Sequence, residues 1–225
     1  MRLRTELFAG PARRDTLLVL LPPALASIDD FYSQGFVDAL RQRKVPVDLL
    51  LADTSGQHVL DKTVVEHLHR QVVQPAWDCG YRAIWLAGIS LGAFSALHYA
   101  AHHADLLAGL YLLSPYPGTG DVLDEIRTAG GAGPWSQLQP AGIEARTDER
   151  AWWHWLAQQS AQGTWPTAVY FGTGTNDRFQ RGQALISDLL PPERVCRLPG
   201  MHQWATWKTL WEDWLDHGPI RSPPR

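Results

Sequence analysis

The 225-residue sequence predicts an α/β fold: a mostly parallel, twisted sheet with helices on both faces and a small cap insertion. Three observations carry this. Short apolar runs of strand length alternate with segments of helical period through most of the chain. The alternation breaks over 115–166, where Gly, Pro and Trp crowd together without a clear strand. A glycine-flanked serine, Gly88-Ile89-Ser90-Leu91-Gly92, sits where a strand pattern meets a helix pattern.

The elements follow in order. Arg2–Phe8 reads as an antiparallel edge strand and Thr16–Leu21 as a buried strand. Ser27, followed by Asp29 and Asp30, reads as the cap of a helix running to about Lys44. Val47–Ala52 is the next strand, and after a turn at Gly56 a helix spans roughly His58–Cys79. Arg82–Ala87 and Ala108–Leu113 read as strands flanking a helix at Leu91–His103. Within 115–166, Glu149–Gln159 has a helical pattern. Then come a strand at Thr167–Phe171, a helix near Arg178–Leu189, a strand at Arg194–Leu198 and a helix at Trp204–His217. In that last helix Trp204, Trp207, Trp211 and Trp214 share one face, the pattern of a core stripe, and Gly218-Pro219 ends it. The chain reads as one domain over 1–225, with a cap-like insertion at about 115–166.

Composition narrows the function classes. The net charge of -3, without a basic run, predicts neither nucleic acid nor a polybasic membrane contact as partner. No apolar stretch is long enough for a membrane span. Arg13-Arg14, the run Leu17–Leu21 and Ala24-Leu25-Ala26-Ser27 resemble a signal peptide. Pro22-Pro23 cuts that run short, Glu6 and Asp15 place acids in the basic segment, and cleavage would remove a strand. Cys79 and Cys196 read as reduced, buried thiols, so a cytoplasmic location is expected. Paired histidines on helices (His67 and His69; His98, His102 and His103) read as solvated helix faces, so neither a metal nor another cofactor is expected.

The chemistry centres on Ser90. A sharp strand-to-helix turn puts its hydroxyl above the sheet, and a helix N-terminus behind it offers N–H groups to developing negative charge. The segment resembles the nucleophile elbow of the α/β-hydrolase superfamily, and from about Thr16 to His217 the chain is similar to its small esterase and thioesterase members. That resemblance implies an acid and a histidine in loops after later strands. His202, between the last strand and last helix, fits the general base; His154, in the cap, is its rival. Asp177, in Gly172-Thr173-Gly174-Thr175-Asn176-Asp177, fits the acid, with Asp121 as the alternative. Oxyanion donors are expected at the backbone N–H of Leu91 and of the loop after Thr16–Leu21. Members of the superfamily often carry His-Gly in that loop, whereas this chain carries Pro22-Pro23-Ala24-Leu25. Prolines have no N–H, which leaves Ala24 first and Leu25 second.

The implied function is hydrolysis of a carboxylic ester or thioester of a small or medium acyl substrate through an acyl-enzyme. The alternatives are an amidase, a peptidase or an acyltransferase on the same residues, or a ligand-binding member without catalysis. Leu25, Tyr116, Trp135, Trp152 and Trp153 are the candidate lining of a substrate pocket under the cap.

Overall fold

The computed structural model describes residues 1–6, 14–54 and 56–220. Its strands are β1 (Leu3–Glu6), β2 (Thr16–Leu21), β3 (Asp48–Ala52), β4 (Ala83–Ile89), β5 (Gly109–Leu113), β6 (Ala168–Gly174) and β7 (Val195–Leu198). They form a seven-stranded sheet in the order β1-β3-β2-β4-β5-β6-β7. β1 is antiparallel to β3, and every other pairing is parallel. Of the edge strand expected at Arg2–Phe8, Leu3–Glu6 is strand and Arg2 is not; Phe8, like Arg13, lies outside the described residues. β2 holds an interior place between β3 and β4, as its unbroken apolar run requires.

Strand periodicity distributes the core over two layers. Leu17, Val19 and Leu21 of β2 face one cluster, and Leu18 and Leu20 the other. The second layer is closed by helices α1 (Asp30–Ser33) and α2 (Phe36–Gln42) and by the C-terminal helix at Trp204–His217. The single helix expected from Ser27 to about Lys44 is therefore two. Gly35 breaks it at a left-handed φ of 74°, a conformation that only glycine adopts without strain. Ser27 does not cap it; its own N–H donates to Asp30 Oδ2 at 2.7 Å.

The segment expected as one helix at His58–Cys79 is also divided, into α3 (Gly56–Leu60), α4 (Val64–Leu68) and α5 (Gln74–Asp78). Lys62, at a φ of 57°, separates the first two. A π-turn at His69–Val73 joins the last two, just before Pro75, whose missing N–H breaks the α-helical ladder. Cys79 at the end of α5 is exposed and Cys196 is half-buried, which corrects the expectation of two buried thiols.

The first layer is completed by α6 (Leu91–His103) and by the segment between β5 and β6, which contains α7 (Gly120–Thr128), α8 (Ala132–Gln137) and α9 (Glu149–Gln162). Two contacts pin the start of α9 to the loop before α7. Glu149 Oε1 accepts from Thr119 N–H at 2.8 Å and from its hydroxyl at 2.6 Å, and Trp153 Nε1–H donates to Pro117 O at 3.2 Å. After β6 and β7 come α10 (Gln180–Ser187) and α11 (Trp204–His217). In α11, Trp207, Trp211 and Trp214 are buried, and Trp211 Nε1–H donates to Phe36 O at 3.0 Å. The Trp stripe is core. Among the described residues, no helix is long and apolar enough to cross a membrane.

One close approach locks the central helix to the sheet. A Cβ on Gly92, in the first turn of α6, would lie 2.2 Å from Leu21 O and 2.7 Å from Pro22 O. Neither backbone oxygen can yield without moving β2. Gly92→Ala should therefore lower the unfolding free energy by about 2 kcal/mol or more in urea titrations. Gly133→Ala, in a helical position with nothing within 4 Å, should be neutral or slightly stabilising. Equal effects of the two substitutions would contradict the close-packing account.

Candidate active site

The turn from β4 to α6 holds Ser90 at φ 51° and ψ -108°, a conformation that L-residues rarely adopt. Backbone hydrogen bonds over-determine it. Ser90 N–H donates to Leu113 O at 2.9 Å, and its carbonyl accepts from Phe94 N–H and Tyr116 N–H, each at 3.1 Å. Gly88 is needed because a Cβ there would sit 2.3 Å from the carbonyl carbon of Gly92. The serine side chain is thereby aimed away from β4 while Ser90 remains largely buried.

The loop after β6 supplies Asp177, and the loop after β7 supplies His202. The two loops are stitched together by Thr175 N–H donating to Leu198 O at 2.8 Å and Asn176 N–H donating to Gly200 O at 2.9 Å. Gly174 permits the contact, since a Cβ there would meet Gly200 O at 2.3 Å. The result is a continuous chain of side chains: Asp177 Oδ2 lies 2.8 Å from His202 Nδ1, and His202 Nε2 lies 2.9 Å from Ser90 Oγ. With its proton on Nδ1, His202 donates to Asp177 and leaves Nε2 to accept the serine hydroxyl proton. Phe179 and Trp207 meet the imidazole edge-on, with ring centroids at 5.0 and 4.9 Å, and fix its plane.

Asp177 is fully buried at its side chain. Burial alone would raise its pKa, but the hydrogen bonds from His202 and from Phe179 N–H, at 2.9 Å to Oδ1, outweigh it. The carboxyl is held below the usual aspartate value. Ser114, also buried and near this carboxylate, adds slightly to the effect. Sequence reasoning missed Ser114, Phe179 and Trp207, which carry no motif.

The alternatives lie elsewhere. Asp121 is exposed at the start of α7, and His154 on α9 is engaged by Ser136 Oγ at 2.9 Å and Gln158 Nε2 at 2.7 Å. Leu91 is the first residue of α6, where a backbone N–H has no intrahelical acceptor. The loop bearing Ala24 is brought beside it, because Leu21 and Pro22 abut Gly92.

A cavity of about 1000 Å³ begins beside this arrangement. Tyr116 and Leu91 are on its wall, but the other expected lining residues are not. Trp152 and Trp153 are fully buried and stacked at 4.6 Å, and Trp135 is 2% exposed. They form the core through which the segment between β5 and β6 packs on α6. Leu25 is fully exposed at a φ of 63° on the turn after β2. The wall is built instead from Phe94 and His98 of α6, from Val59, Val64 and Val65, and from the loop before α9. Among the described residues, no cluster of His, Cys, Asp and Glu has the geometry to hold a metal.

Because its folded pKa is depressed, Asp177 contributes stability that is fully present above the unfolded aspartate value of about 3.9. That contribution is lost as pH falls through the lower folded value. The stability difference between the unaltered protein and Asp177→Asn should therefore be constant above about pH 5 and shrink below about pH 4 in urea titrations. A difference that grew toward low pH would contradict the assignment.

The model of the Esterase family, described as "Putative esterase", matches residues 57–215. No curated protein sequence matches significantly. Similar solved structures include a ferulic acid esterase (15% identity, TM-score 0.66, covering 95% of this chain and 96% of that one). Est1E from Butyrivibrio proteoclasticus has 17% identity and a TM-score of 0.61, with 96% and 93% covered. The S-formylglutathione hydrolase of Staphylococcus aureus has 15% identity and a TM-score of 0.60, with 90% and 80% covered. At such identities these structures show the fold alone, whereas the family match spans more than half of the chain. The chain belongs to the Esterase family and has the α/β-hydrolase fold.

Proposed function

We propose that this chain hydrolyses carboxylic esters or thioesters through a Ser90-His202-Asp177 triad. The observation that carries the reading is the unbroken hydrogen-bond chain from Asp177 through His202 to Ser90. Ser90 Oγ attacks the acyl carbon as His202 Nε2 takes its proton, and Asp177 stabilises the imidazolium that forms. The N–H groups of Leu91 and Ala24 receive the oxyanion. His202 then returns the proton to the departing alcohol or thiol, leaving an acyl group on Ser90. Water, deprotonated by His202, hydrolyses that ester and restores the serine. The same steps serve an oxygen or a sulfur leaving group, and the similar solved structures include an S-formylglutathione hydrolase, named for a thioester.

No residue in this sequence of steps calls for a metal or an organic cofactor. We read the chain as one domain with 115–166 as its cap, acting on a small-molecule substrate in the cytoplasm. The two free thiols, Cys79 exposed and Cys196 half-buried, support that placement.

A chain-length series of chromogenic acyl esters and thioesters tests the reaction. Turnover is expected with the unaltered protein and should fall by roughly 10⁴-fold or more in Ser90→Ala, with no loss of thermal stability. A fluorophosphonate probe should label the unaltered protein and not the variant. Turnover that survives Ser90→Ala would refute the nucleophile assignment.

A further inference from the structure

α6 runs away from the nucleophile along one side of the 1000 Å³ cavity. Leu91, Phe94 and His98 are spaced three and four residues apart, so they share the helix face that lines it. A rise of 1.5 Å per residue places the His98 backbone about 12 Å along the axis from Ser90. Helical side chains lean toward the N-terminus, so the imidazole comes back to within on the order of 10 Å of the serine.

His98 is unusual among the polar groups of this wall. It is 6% exposed, yet no group among the described residues hydrogen-bonds its ring nitrogens, and they are not sealed off from open space. Its ring instead packs edge-on against Phe94 at 4.5 Å. Glu149, the other buried polar residue of the wall, accepts from Thr119, Asp148 is engaged by Arg146 and Arg150, and His69 by Tyr99, whereas Tyr116, His102 and His103 are less deeply buried. A buried polar group without a partner is costly, and burying one against a cavity is stabilised when a ligand completes its hydrogen bonds.

We propose that His98 is a specificity-determining residue that hydrogen-bonds an uncharged polar group, such as a hydroxyl, at the far end of an apolar, aromatic-sized portion of the substrate. The proposal rests on the esterase reading for the identity of the reacting end. The volume is far more than a formyl or acetyl group needs, and the stretch between Ser90 and His98 is apolar, walled by Leu91, Phe94, Val64 and Val65. The imidazole is neutral: burial, opposed by Glu149 and reinforced by His102, pushes its pKa down to about 4. A neutral ring offers one donor and one acceptor, which matches a hydroxyl and gives a carboxylate no charge to pair with.

The test is calorimetric binding of two uncharged, non-hydrolysable ketones, 4-phenylbutan-2-one and 4-(4-hydroxyphenyl)butan-2-one, which differ by one hydroxyl. The unaltered protein should bind the hydroxylated ketone at least tenfold more tightly. His98→Leu should abolish that preference and His98→Gln should retain part of it, with folding of each variant checked by thermal melting. Equal affinities in the unaltered protein, no binding of either ketone, or a preference unchanged in His98→Leu would each overturn the proposal. The two readings fail separately: binding preference without ester turnover removes the esterase reading, and turnover without preference removes the role of His98.

Discussion

The structure depends on the strained backbone of one residue. Ser90 sits at a positive φ between the last residue of β4 and the first of α6. It can do so only because Gly88 and Gly92 let strand, helix and the end of β2 approach within distances that a Cβ would block. The strain of order 1–3 kcal/mol is held by hydrogen bonds from Ser90 to β5 and to the loop after it. Once that turn is set, three features follow. The serine hydroxyl is lifted off the sheet, the first free N–H of α6 lies beside it, and the proline-rich loop after β2 is drawn over the same point. The stitched loops after β6 and β7 then need only deliver an imidazole and a carboxylate.

Much of this was legible in the sequence. Each interior strand is a short apolar run bounded by turn residues, and parallel strands buried on both faces have that pattern. The Trp204–Trp214 stripe announced α11 because four large residues on one face have only a core to enter. Ser90, Asp177 and His202 were legible because each lies in a loop directly after a strand, so one end of the sheet gathers them. The helix breaks were not legible. Gly35 and Lys62 interrupt sequences whose apolar period continues across them; at Gly35 a Cβ would meet Lys208, a neighbour far along the chain, and Lys62 breaks the helix at an exposed turn.

The cavity was the least legible part, for a physical reason. Trp135, Trp152 and Trp153 have the composition of an apolar pocket, but the helices between β5 and β6 must first bury a core of their own against α6. The aromatic residues serve that need. The cavity wall is assembled from α6, the segment around Val59–Val65 and the loop before α9, pieces that no local pattern joins. His98 looked like one solvated histidine among several on helices, and only the packing of those pieces buries it.

The central claim is that an acyl group passes through Ser90 under the control of His202. Intact-mass spectrometry during turnover of a slow chromogenic ester, quenched in acid and followed by peptide mapping, tests it most directly. The account predicts one acyl adduct per chain, located on the peptide containing Ser90, accumulating in step with a burst of released chromophore and absent in His202→Ala. Steady turnover with no adduct on that peptide, or an adduct mapped to a different residue, would contradict it.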